Sequence, residues 1–171
     1  TVDDRSRSAT VLTNHGDGTF GAPLSYWLGY GAQTMSAADI NLDGFPDLIA
    51  AKYEIDSVSV LFNTGKGGFR SVVSYPTGTR PSHGMAADLN ADGRTDLAVA
   101  NYGSQNVTVL LADAAGGFGH PMQFQAGGGP ASLAAADFDG MNGIDLAVAN
   151  DSSNDVWLLF NSGTGSFLAG E

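Results

Sequence analysis

Short apolar runs, each closed by a polar residue, punctuate the chain: Leu48-Ile49-Ala50-Ala51, Leu97-Ala98-Val99-Ala100 and Leu146-Ala147-Val148-Ala149. They are too short for helices. Their apolar residues run continuously rather than alternating, as in strands buried on both faces. Read with their neighbours, residues 35–77 predict four strands: Met35–Ala38, Leu48–Lys52, Ser57–Asn63 and Phe69–Tyr75. Residues 84–126 repeat that order, and residues 133–171 repeat it again. Ala9–Thr13 and Phe20–Leu28 predict a hairpin around Asn14-His15-Gly16-Asp17-Gly18, which makes residues 9–28 half of the same unit. The polar residues 1–8 predict a frayed end or a linker.

The units share one register. Leu12, Leu61, Leu110 and Leu159 stand 49 residues apart, as do Phe20, Phe69, Phe118 and Phe167 after glycine-rich turns. Periods of about 40–50 residues built from short strands point to propeller blades rather than helical repeats. The expectation is an all-β chain with a single domain over residues 1–171. It would be part of a β-propeller, with half a blade followed by three four-stranded antiparallel blades. Propellers typically close with four to eight blades. The missing part would then come from a longer chain or from a second copy, and two copies would give about seven blades.

Between the first two strands of each unit lies a polar loop. In Asp88-Leu89-Asn90-Ala91-Asp92-Gly93-Arg94-Thr95-Asp96, oxygen side chains occupy positions 1, 3, 5 and 9, with glycine at position 6. Calcium takes six to eight oxygen ligands, and alternate residues of a tight loop can aim several at one centre. An EF-hand would carry glutamate at position 12, where Val99 stands here, and helices on both sides. The loop therefore joins two strands, with Asp96 as its late carboxylate. Asp39–Asp47 and Asp137–Asp145 repeat it at the same 49-residue step. Asp, Asn and Gly also form ordinary turns, but a turn alone has no need of four oxygen side chains at fixed spacing.

The segment from Pro81 to Asp88, then Asp96 to Asn101, then Asn106 to Leu111 resembles the FG-GAP/VCBS repeat family of calcium-loop propellers. That family includes the integrin α-subunit head and many secreted bacterial proteins, and the resemblance covers nearly the whole chain. It implies a first calcium site at Asp39, Asn41, Asp43, the Phe45 carbonyl and Asp47. The second would use Asp88, Asn90, Asp92, the Arg94 carbonyl and Asp96. The third departs from the pattern: Asp137, Asp139, the Gly143 carbonyl and Asp145 remain, but Met141 replaces an oxygen ligand and Asn142 the turning glycine. The resemblance also implies an extracellular or secreted setting and a role in adhesion or lectin-like binding.

Composition fits this reading. The formal charge is −11, and nine of the 18 acidic residues lie in the three loops, so three calcium ions would bring it to −5. No basic stripe suggests nucleic acid, no cysteine allows a disulfide, and no apolar run is long enough for a membrane span. The chain starts at Thr1 without a signal peptide, as a processed or trimmed product would. His15, His83 and His120 fall in predicted turns or connectors, with no nucleophile–base or zinc spacing. The paired carboxylates are already explained by calcium, so no enzyme is expected.

Tyr26, Tyr75 and Phe124 share one repeat position and read as packing, whereas Trp27 stands where Pro76 and Gln125 would. With Tyr30 nearby, Trp27 could stack on a sugar ring; alternatively it fills a gap at a blade edge. Trp157, inside a strand, reads as packing. The function expected is a non-catalytic, calcium-stabilised module that binds glycan or protein. The alternative is a structural or assembly domain with no small ligand.

Overall fold

Each apolar run becomes the second strand of an antiparallel meander. The computed structural model describes residues 2–3, 7–70, 72–141 and 143–170. The first sheet comprises β1 (Val2–Asp3), β2 (Ser8–Val11) and β3 (Leu24–Trp27). The second comprises β4 (Ala32–Ala38), β5 (Asp47–Lys52), β6 (Ser57–Leu61) and β7 (Val73–Pro76). The third comprises β8 (Pro81–Ala87), β9 (Asp96–Asn101), β10 (Asn106–Leu110) and β11 (Met122–Gln125). The fourth comprises β12 (Pro130–Ala136), β13 (Asp145–Asn150), β14 (Asp155–Asn161) and β15 (Phe167–Gly170). In every sheet the strands lie in chain order, as in propeller blades.

Several bounds differ from the expectation: the first strands start at Ala32, Pro81 and Pro130 rather than at 35, 84 and 133, and β6 ends at Leu61 rather than Asn63. Val2–Asp3 pairs with β2 through Val2↔Ala9 and Asp3↔Ser8, so the first sheet has three strands rather than two. Residues 1 and 4–6 lie outside the described residues. The outer strands are also shorter than predicted. Phe20, Phe69 and Phe118 each make one isolated bridge, to Asn14, Asn63 and Ala112, and the ladder resumes only at Leu24, Val73 and Met122. In the fourth sheet Phe167 instead starts a continuous strand against Asn161.

The core lies between blades. Ala9, Leu28, Ala50 and Leu61 close the first junction; Val58, Val60, Leu97 and Val99 the second; Val107, Val109, Leu146 and Val148 the third. Strand β9 is buried at all six positions, because neighbouring blades cover both of its faces. An edge-to-face aromatic pair seals each junction further out: Tyr26–Phe69, Tyr75–Phe118 and Phe124–Phe167, with centroids 5.2, 5.0 and 5.3 Å apart. Trp157 packs at the third junction. Hydroxyls on the first strands also tie blades together: Thr34 donates to the Ser82 carbonyl and Ser82 to the Pro130 carbonyl, both at 2.6 Å.

Candidate metal loops and ligand groove

The three polar loops join β4 to β5, β8 to β9 and β12 to β13, so strand pairing fixes their ends. Position 4 takes a left-handed backbone in all three: Leu42 at φ 58°, Ala91 at 57° and Gly140 at 73°. Gly44 and Gly93 at position 6 do the same at 86° and 82°. These reversals curl the loop so that backbone amides face the carboxylates. Asp39 accepts from the amides of Asp43 (3.1 Å) and Gly44 (2.8 Å); Asp88 accepts from those of Asp92 (3.2 Å) and Gly93 (2.9 Å). Asn41 and Asn90 bond the side chains of Asp43 and Asp92 at 3.0 and 2.8 Å.

The late carboxylates are different in kind. Asp47, Asp96 and Asp145 are fully buried. One oxygen of each accepts from the amide at position 2 of its own loop: Ile40, Leu89 or Phe138, at 3.0, 2.8 and 2.8 Å. The other accepts from the amide just after the third strand, or at its end: Asn63, Ala112 or Asn161, at 2.7, 2.7 and 2.8 Å. Burial pushes the Asp47 and Asp96 carboxyls above the ordinary carboxylate value, against the pull of these amides. Amide bonding, first from Arg94, holds the exposed Asp92 below it.

The donor types are those calcium takes, hard oxygens from carboxylates, an amide and a backbone carbonyl, but among the described residues only the third loop brings three carboxylates together. In the third loop Asp137, Asp139 and Asp145 each place a carboxylate oxygen within 4.8 Å of the others, despite exposed Met141 at position 5. Its Asp139 accepts the Met141 amide as Asn41 and Asn90 accept those of Asp43 and Asp92, but its Asp137 accepts from Gly140 at position 4 rather than from positions 5 and 6. Gly143 sits at φ 120°, and Asn142 lies outside the described residues. In the second loop the Arg94 guanidinium lies on Asp92 and also donates to the Ala112 carbonyl at 3.2 Å, so a cation of the chain itself faces this site.

His83 is not in a turn. It lies in β8, half-buried, and its Nδ1 accepts the Leu133 amide at 3.2 Å across a blade junction. Apolar spacing along β8 gave no sign of this contact, because the partner lies in another blade.

Trp27 is 69% exposed at the end of β3. A groove of about 300 Å³ at the first junction counts Ser25, Tyr26, Trp27, Phe69 and Arg70 among its lining residues, and Tyr26 and Phe69 there form the edge-to-face pair. Tyr30 is not among the residues lining this groove; its ring lies under Arg7, whose guanidinium carbon is 3.5 Å from the ring centroid. Arg70 was missed by the sequence reading. The available signal was its register, since Gly21, Gly119 and Leu168 hold the equivalent positions.

The sequence model of the FG-GAP-like repeat matches residues 39–99 and 88–140. A search of curated protein sequences finds no match. Among solved structures, an Agrocybe aegerita lectin described as specifically recognising non-reducing terminal N-acetylglucosamine superposes with a TM-score of 0.65 at 20% identity. The match covers 96% of this chain and 46% of the lectin, so the chain spans about half of that protein's length. At this identity the likeness concerns the fold.

Proposed function

The chain belongs to the FG-GAP-like repeat family, and from that premise we propose that it is an extracellular, calcium-stabilised propeller module that binds carbohydrate without catalytic activity of its own. The repeat and the fold shared with a lectin support the coarser description, a propeller module of a kind that binds carbohydrate or protein. The observation that carries the finer reading is Trp27, a large aromatic residue left 69% exposed at the end of an edge strand next to a groove that Ser25 and Arg70 also line. Sugar rings pack their C–H faces on such a surface while nearby donors bond the hydroxyls.

Calcium has a supporting role in this reading. Asp39, Asn41, Asp43, Asp47 and the Phe45 carbonyl would hold one ion, and Asp88, Asn90, Asp92, Asp96 and the Arg94 carbonyl a second. Asp137, Asp139, Asp145 and the Gly143 carbonyl would hold a third. Bound ions neutralise loop carboxylates that otherwise repel one another and fix the blade ends. Affinities of about 10⁻⁴–10⁻³ M would suffice outside cells. His83 has a structural surrounding, since its Nδ1 accepts a backbone amide.

A second reading, an assembly domain with no small ligand, is favoured by the open face of the fourth sheet. Val156 is 65% exposed, although Val58 and Val107, its equivalents, are fully buried under the next blade. That face suits further blades, from a longer chain or from a second copy.

A glycan array probed with the calcium-loaded chain tests the carbohydrate reading, with terminal N-acetylglucosamine structures included. Binding that is lost in Trp27→Ala while the melting curve stays unchanged supports it. A chain that binds no glycan leaves the assembly reading.

A further inference from the structure

The first two loops share their internal bonds. Asp39 and Asp88 accept the amides at positions 5 and 6, and Asn41 and Asn90 accept the amide at position 5. One oxygen of Asp43 and of Asp92 accepts the amide at position 7, and the other accepts the Asn41 or Asn90 side chain. The loops differ in the side chain at position 7. In the first, Phe45 lies against Gly65, so closely that a β-carbon there would meet its ring. In the second, Arg94 turns its guanidinium onto the Asp92 oxygen that Asn90 already bonds, while its Nε donates to the Ala112 carbonyl at 3.2 Å. The third loop has Gly143 there. Asp92 with Arg94 is the one ion pair among the described residues.

We propose that Arg94 is a resident cation of the second loop, holding Asp92 when calcium is absent and competing with calcium for it, so that the second loop depends less on calcium and fills later than the first. The proposal rests on the calcium reading above and adds an order to the sites.

Both oxygens of Asp92 are already engaged, one by the Arg94 amide and one by two side chains. An ion that draws Asp92 in must take it from the guanidinium, whereas at Asp43 it displaces only neutral donors. A fixed positive charge in the loop also repels an arriving divalent ion, which a phenyl ring does not. The effect is bounded, because the side chains of Arg94 and Asp92 are 43% and 23% exposed, and such pairs shift an equilibrium by about fivefold at most. Arg94 also lines a cavity of about 220 Å³ beside the loop, which leaves a displaced guanidinium room to move.

Arg94→Met keeps the aliphatic stem and removes the charge. Urea unfolding of the whole chain in chelator reads the first half of the proposal. The midpoint should fall in Arg94→Met and fall less in Arg94→Lys. It should not move when Arg94→Met is added to Asp92→Asn, where the ion pair is already broken. Calorimetric titration with calcium reads the second half. With Asp43→Asn and Asp139→Asn impairing the other loops, Arg94→Met should tighten calcium binding by about fivefold, and added salt should narrow that gap. In the otherwise intact chain the same change should tighten the last binding step alone. Calcium affinity unchanged in Arg94→Met, or a loss in chelator just as large on the Asp92→Asn background, overturns the proposal while leaving calcium binding in place. A parent chain that takes up no calcium ends the calcium reading and this proposal with it.

Discussion

Asp47, Asp96 and Asp145 give one carboxylate two tasks, and the tasks can be separated by experiment. Each is offered as a metal ligand, yet each also satisfies two backbone amides in a buried place. Asp96→Ala should therefore destabilise the chain even in chelator, because the Leu89 and Ala112 amides lose their acceptor, at about 1–3 kcal/mol for each buried group left unsatisfied. Asp92→Ala should cost less in chelator, since the groups Asp92 serves, the Arg94 amide and the Asn90 side chain, lie in an exposed loop where water can replace it. It should instead blunt the rise in stability on adding calcium, which is about 2.7 kcal/mol at 100-fold over the dissociation constant. Urea unfolding of both variants with and without calcium checks this; equal losses in chelator would refute the division. The loops were legible because oxygen spacing is written directly in sequence. Arg70 and His83 were not, because Ser25, Tyr26 and Trp27, which line the groove with Arg70, and the amide that His83 accepts lie in other blades. His83 carries its own test. Burial holds its imidazole below the ordinary value of 6.5, in the neutral form that accepts the Leu133 amide. The unfolded chain thus takes up the proton first, so this contribution is full above that value and is lost as pH falls from it through the lower folded value. His83→Gln can keep an acceptor without titrating. Its stability should fall less than the parent's between about pH 7.5 and 5, and parallel pH profiles would rule the histidine out.

At the scale of strands and loops, the register carried most of the information. The second strands follow the apolar runs closely, because burial on both faces leaves no other pattern. The outer strands were overdrawn, because Phe20, Phe69 and Phe118 look like strand starts but pack after a break in the ladder. What no register could show is how neighbouring loops are joined. At the second junction the Thr95 hydroxyl donates to the Asp39 carbonyl at 3.0 Å, linking the first loop to the second. At the third, buried Asn161 donates to the carbonyls of Leu89 (2.7 Å) and Ile144 (2.8 Å), tying the second loop to the third. Its equivalent Asn63 donates its side-chain amide to the Pro46 carbonyl within its own blade. Asn161→Ala should then destabilise by about 1–3 kcal/mol, as two buried carbonyls lose their donor, and Asn63→Ala by clearly less. Denaturant midpoints of the two variants decide it; similar shifts would mean the inter-loop tie contributes nothing of its own.

For the whole molecule, the decisive contrast is between covered and uncovered copies of one position. Val58 and Val107 are fully buried, and each is covered by the blade that follows; Val156 is 65% exposed on the fourth sheet. At the opposite end, Leu61, Leu110 and Leu159 are fully buried, while Leu12 is 47% exposed on the first sheet. The same repeat chemistry that builds three junctions thus leaves two matching half-junctions, and apolar faces of this kind favour association. A chain of these 171 residues, kept in calcium, should gain mass with concentration as such faces meet. Val156→Asp should shift it toward single chains without lowering its melting temperature, because the side chain is solvated when the face is open. Val107→Asp places the same charge in a closed junction, where an unpaired buried carboxylate is strongly destabilising, so it should unfold rather than dissociate. Sedimentation across concentrations, with melting of each variant, separates the outcomes. A parent chain that stays single throughout, or a Val156→Asp variant that associates as the parent does, would show that this face is not where chains meet.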